Sequence, residues 1–261
     1  MSALSEKPTD NLTESTLISH LLELRDRLMR AVIFVVVLFI PCAMFSSPLF
    51  TLVARPLVDR LPVGTSMVST NLIAPFMTPI KLALYIALFC AMPYVLYQAW
   101  AFIAPGLYKH EKRFAVPLVV SSIVLFYGGA AFAYFLVFPL MLAFLTSTTP
   151  QGVMLMPDMT QFLDFVSLLI FAFGLAFEIP VATVLLVATG LVNIKVLTDN
   201  RGYVVIGIAV ISAMLTPPDA LSMCLMAGPM YLLYELGIIF SRVLLKDKLA
   251  ERAKADAEES A

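Results

Sequence analysis

The chain has 261 residues, 61% of them hydrophobic and 13% charged, with a net charge of −1. Soluble domains sit near half apolar and a quarter charged, so a water-soluble globule is excluded, and the near-neutral balance offers nothing to a nucleic acid. Residues 31–54, 82–108 and 114–157 carry no charge at all, and each run can hold at least one helix of the roughly 20 residues that cross a bilayer.

Other function classes lose support in turn. Cys42, Cys90 and Cys224 all lie in apolar runs and read as small buried hydrophobes, not a disulfide frame. His20 and His110 are far from any cysteine and lack zinc-ligand spacing. The chain has no glycine-rich phosphate loop and no nucleophile elbow. The expectation is a non-enzyme with no cofactor and no metal.

Residues 1–14 are polar. Leu17, Leu21, Leu24 and Leu28 then recur at helical spacing, with Thr13 or Ser15 as candidate caps and His20, Glu23, Arg27 and Arg30 on the other face. This predicts a short amphipathic helix at the membrane surface that runs into the first span. Six spans follow, over residues 31–50, 79–97, 114–138, 165–187, 202–215 and 221–240. Pro48, Pro56, Pro62 and Gly64 break the chain after the first, Pro139 closes the third, and residues 146–152 (TSTTPQG) form a loop. Glu178 sits within the fourth, and the 216–219 turn (TPPD) ends the fifth. The fifth span would reach about 21 Å at 1.5 Å per residue, short of the roughly 30 Å hydrocarbon core, so a re-entrant hairpin stays open for the last pair. The expected organisation is a cytoplasmic segment with an amphipathic helix (1–30), a six-helix membrane domain (31–241) and a charged tail (242–261).

Orientation follows from the bases. With a cytoplasmic N-terminus, all of the 17 Lys and Arg except Arg55, Arg60 and Lys81 fall on the inside. Both termini are therefore expected in the cytoplasm. Tyr94, Tyr97, Trp100, Phe102 and Tyr108 gather where the second span meets that side, as an interfacial belt should. Residues 1–19 lack the apolar core of a cleavable signal, and no transit-peptide composition is present, which points to a bacterial inner membrane.

Six stretches, in order along residues 17–242, resemble the TatC family: 20–28 (HLLELRDRL), 74–82 (APFMTPIKL), 97–113 (YQAWAFIAPGLYKHEKR), 173–180 (FGLAFEIP), 216–219 (TPPD) and 234–237 (YELG). The 97–113 stretch is the most specific. Asp26 departs from the pattern, standing where a basic or neutral residue is expected. The resemblance implies an all-α, N-in and C-in membrane protein whose six helices form a concave bundle, the last two of them short. It implies a translocase subunit that binds the twin-arginine signal peptides of folded cargo. TatA and TatB would be its single-span partners, other copies of the chain would join the complex, and the proton-motive force would drive transport. A secondary transporter relaying protons through Glu178 is the alternative, and a membrane scaffold is the third reading.

A twin-arginine signal needs carboxylates, since a carboxylate takes a guanidinium in a fork that lysine cannot copy. The resemblance places that contact at Glu23 and Glu111, with Arg25 and Phe102 nearby. The bland alternative is a surface ion pair, Glu23 to Arg27 at i,i+4. Glu178 is the strongest anomaly: a charge at the bilayer centre costs at least roughly 2.5–3.5 kcal/mol on insertion scales. It is expected on a concave, water-accessible face that holds or passes the signal, against the alternative of a hydrogen bond between helices. Asp219 and Glu235 are further candidates, with an Asx-type turn and pairing with a nearby base favoured over function. Met214, Met223, Met226 and Met230 read as packing residues, not metal ligands.

Overall fold

The computed structural model describes residues 10–58, 67–103, 112–148, 156–215 and 220–246, and their regular structure is entirely helical. Helix α1 covers Asp10–Met44, α2 Ser46–Val58 and α3 Ala74–Ile103. Helix α4 covers Lys112–Phe132, passes through a π turn at Ala133–Val137, and continues as α5, Phe138–Thr148. Then come α6 (Met159–Ala176), α7 (Ile179–Thr189), α8 (Ile194–Asp199), α9 (Arg201–Leu215) and α10 (Ala220–Leu244). Such a choice is forced in lipid, where backbone polar groups must be satisfied within the chain.

Five helical stretches are long and apolar enough to cross a membrane: Ile18–Met44, Ala74–Ile103, Val116–Thr148, Met159–Thr189 and Met223–Leu244. The sixth expected span is the shorter apolar helix α9, 15 residues and about 22 Å long.

Several expectations need correction. The chain does not lose helix after Met44, because α2 resumes at Ser46 with Pro48 in its first turn, where proline's missing N–H costs nothing. Pro139 does not close the third span. The π turn just before it widens the helix, with the Phe138 N–H reaching back five residues to the Ala133 carbonyl, and this relieves the clash a proline makes with the preceding turn. Only one of the last two helices is short, since α10 has 25 residues. Thr13 and Ser15 lie inside α1, not at its start, while α1 runs unbroken past residue 30, as expected. Cys90 and Cys224 face outward, and all three cysteines are free thiols.

The packing has two apolar centres. One joins α3, α4 and α7 through Met92, Leu96, Phe126, Val181 and Leu185. The other joins the π turn, α5, α6 and α10 through Phe138, Met141, Leu169, Phe173 and Met226. Helix α4 approaches α6 so closely that a Cβ on Gly129 would lie 2.5 Å from the Phe173 carbonyl oxygen. Helix α7 stops at Gly190, whose φ of 78° takes the left-handed turn that side chains resist. Helix α1 packs chiefly along α3. Its leucine stripe faces away from the protein, with Leu21 64% and Leu28 60% exposed.

Proline in α3 creates a second demand. Pro93 has no N–H for the carbonyl four residues back, which is Phe89. The Tyr127 hydroxyl of α4 donates to that carbonyl at 3.0 Å. Tyr127→Phe should therefore lower the stability of the detergent-solubilised protein by about 1 kcal/mol, the usual worth of one such bond. In a Pro93→Ala background the helix supplies its own N–H, and the same Tyr127→Phe change should cost much less. Equal losses in both backgrounds, measured by thermal unfolding, would show that the hydroxyl is not replacing the proline's missing donor.

Candidate functional site

The C-terminal end of α3 and the N-terminal half of α1 bring four of the sequence's polar groups together. Arg27 donates from Nε (2.9 Å) and Nη2 (2.7 Å) to a single Glu23 oxygen, Oε1. Its Nη1 reaches across to Gln98 Oε1 on α3 at 3.3 Å. The Gln98 amide is oriented in turn, since its Nε2 donates to the Tyr94 hydroxyl at 2.7 Å. One helical turn before Glu23, the His20 ring stacks on Phe102, with centroids 4.3 Å apart and planes 17° apart. The polar face of α1 thus turns inward toward α3, while its leucines turn out.

Of the candidates for signal binding, Glu23 and Phe102 share this junction. Arg25 does not join it: its guanidinium pairs with Asp26 at 3.1 Å on the exposed side. Asp26 therefore occupies Arg25 and leaves Glu23 to Arg27. Glu111 and Asp219 lie outside the described residues. The i,i+4 pairing of Glu23 with Arg27 is present. What sequence reasoning missed is Gln98 and Tyr94. They stand four apart on α3, a spacing that could have signalled a shared polar face.

Glu178 lies at a break between α6 and α7. Pro180 follows it at the start of α7, and the two helices are joined through Phe177 and Glu178. The side chain does not reach an open surface. The residue is 9% exposed, and neither carboxyl oxygen has a hydrogen-bond partner. The buried Ser122 hydroxyl is its polar neighbour, without closing a hydrogen bond. The expectation of a water-accessible face is corrected: the proline break turns the carboxyl into the helix packing. A helix-to-helix hydrogen bond is absent as well. An unpartnered buried acid is a cost, so Glu178→Met should match or exceed the wild type in melting temperature. A marked loss of folded protein in Glu178→Met would mean that the carboxyl holds helices together.

Glu235 is held by a base. Arg201 Nη2 donates to its Oε2 at 2.8 Å, and the Tyr231 hydroxyl to Oε1 at 2.9 Å. This ties α9 to α10. Met226 and Met230 are core residues, while Met214 faces outward. No cluster of metal-ligating side chains occurs among the described residues.

A second polar cluster lies at the opposite end of α3, and it was not anticipated. Lys81 and Tyr85 both bind Asp164 of α6, at 2.9 and 3.1 Å. Thr78 and Thr160 share a 2.8 Å bond. Asp158 caps α6 by accepting from the Thr160 and Gln161 amides, while its other oxygen takes the Thr70 hydroxyl at 2.6 Å and the Thr70 amide at 3.0 Å. The Thr70 hydroxyl, then the surrounding amides, hold the Asp158 carboxyl down at about 2, from an ordinary 3.8. A lowered pKa stabilises the fold above the unfolded value and stops doing so as pH falls through the folded one. The gap in melting temperature between wild type and Asp158→Asn should thus be open at neutral pH and close as pH falls from about 4 to about 2. A gap that persists at pH 2 would assign the effect to shape alone.

The chain resembles known proteins in sequence and in fold. The family model of the Sec-independent protein translocase protein (TatC) covers residues 19–229. The chain is 51% identical over 231 residues to the Sec-independent protein translocase protein TatC of Azotobacter chroococcum mcd 1, spanning 88% of this chain and 91% of that one. It is 50% identical over 226 residues to the protein of the same description from Escherichia coli (strain K12), spanning 87% and 88%. A crystal structure of the twin arginine translocase receptor TatC superposes with a TM-score of 0.77 at 35% identity, covering 86% of this chain and 98% of that one.

Proposed function

Because the chain belongs to the TatC family of Sec-independent protein translocase proteins, we propose that it receives twin-arginine signal peptides at the α1–α3 junction, on the cytoplasmic side of a bacterial inner membrane. It is a multi-pass membrane protein and a translocase component. In this reading both termini are cytoplasmic, TatA and TatB are its partners, other copies of the chain join the complex, and the proton-motive force drives the cargo across.

One observation carries the reading. Glu23 already holds a guanidinium, that of Arg27, beside the ring stack of His20 and Phe102. A carboxylate in that setting has the chemistry for an incoming arginine, and an aromatic face adds a surface on which a guanidinium can stack. Glu111, close in sequence to the end of α3, would supply the second acid for the second arginine. Glu178, enclosed and distant in sequence from the junction, would act in transport and not in docking.

A twin-arginine peptide carrying a photo-reactive group should cross-link to the neighbourhood of Glu23 and Glu111 in membranes. Glu23→Gln and Glu111→Ala should each weaken its binding at least ~10-fold, since losing one member of a hydrogen-bonded charge pair is costly. Insertion of the protein should be unaffected. Unchanged binding in both variants would remove the junction from signal recognition.

A further inference from the structure

We propose that Arg27 is an internal occupant of the signal-binding carboxylate, and that Gln98 sets how readily it yields; this rests on Glu23 being the acceptor. In the free protein the fork of a guanidinium is already on Glu23. Arg27 spends Nε and Nη2 on Oε1 alone, and neither bond goes to Oε2. An arriving arginine needs both oxygens for a two-bond fork. It finds one of them filled, so full engagement requires Arg27 to move aside.

The surroundings suit an exchange. The Glu23 side chain is 41% exposed and can be approached from water, whereas that of Arg27 is 23% exposed and lies against α3. Arg27 has a second anchor in Gln98 Oε1 through Nη1. On leaving Glu23 it keeps that neutral acceptor, whose amide is fixed by Tyr94. The displaced charge is therefore not stranded, and the cost of displacement stays small.

This competition favours arginine over lysine. A lysine ammonium is a compact, strongly hydrated charge without a planar fork. It would replace two guanidinium bonds on Oε1 with one and cannot repay the displacement. Arg27 and Gln98 thus become specificity-determining residues of the docking site: Arg27 weakens all ligands but weakens lysine more, and Gln98 limits that penalty by holding Arg27 once it is displaced.

The test compares a twin-arginine peptide and its twin-lysine counterpart for binding to the full-length protein in nanodiscs. Arg27→Lys keeps the charge but loses the two-bond contact, and Gln98→Leu keeps the charge and loses the anchor. Arg27→Lys should bind the twin-arginine peptide about two- to fivefold more tightly, the range set by the modest worth of a partly exposed pair. The preference for arginine over lysine should narrow in the same variant. Gln98→Leu removes the acceptor that holds Arg27 once displaced, so it should shift both quantities the opposite way, with weaker twin-arginine binding and a wider preference for arginine. Weaker twin-arginine binding in a folded Arg27→Lys protein, or an unchanged arginine-to-lysine ratio, overturns the proposal and makes Arg27 a positioning residue for Glu23. Glu23→Gln, run alongside, separates the two readings. If it leaves twin-arginine binding intact, the acceptor itself is wrong. If it abolishes binding while Arg27→Lys fails as described, only the internal competition falls.

Discussion

A proline inside a membrane-spanning helix removes an N–H that lipid cannot replace, and this chain carries such prolines in α1, α3, α4 and α10. Much of the fold is an answer to that constraint. In α3 the carbonyl freed by Pro93 is taken by Tyr127, which fastens α4 to α3. Ahead of Pro139 the helix widens into a π turn and so continues to Thr148. Ahead of Pro180 the helix gives way altogether, and the break places Glu178 between α6 and α7. Each solution draws neighbouring helices closer or redirects one. The Gly129–Phe173 approach and the buried Glu178 carboxyl belong to the same packing.

Helix α3 is the spine on which charge is arranged. Its N-terminal third meets α6 through Lys81, Tyr85 and Asp164, and Asp158 ties α6 to the Thr70 segment. Some 20 residues on, about 30 Å at the helical rise, Gln98 and Phe102 meet α1 through Arg27 and His20. Both clusters satisfy charge with charge or with oriented dipoles, as polar groups near an apolar slab must be. Between them α3 is packed against apolar neighbours. The α1–α3 junction therefore sits on two helices whose relative position is secured at a distance. A carboxylate held in this way is better placed than one on a loop.

Glu178 and Glu23 show how differently a fold treats two acids. Glu23 sits in a charged helix turn and has a guanidinium on one oxygen and solvent on the other side. Glu178 sits in an apolar run and has neither, only Ser122 nearby. The first can be approached from water, and the second cannot.

The apolar runs, their lengths and the spread of Lys and Arg were enough to derive a helical membrane protein with spans in the right order, because bilayer thickness and backbone satisfaction leave few alternatives. The ordered motifs from His20 to Gly237 were enough for the family, and Glu23 and Phe102 could be named because they lie within them. Helix ends past proline were not legible: whether Pro139 stops a helix depends on a π turn that local spacing does not signal. Nor was the direction of the α1 polar face, because periodicity separates two faces without saying which one a neighbour covers. The leucines read as the apolar stripe of a membrane-surface helix, and only the packing shows that α3 offers Gln98 and Phe102, toward which α1 turns Arg27 and His20. The long-range partners of Asp158 and Asp164 come from residues 79 to 88 positions away, and Glu178 has none. Such contacts exist only once helices pack, so tertiary structure alone decided which acids are held and which is orphaned.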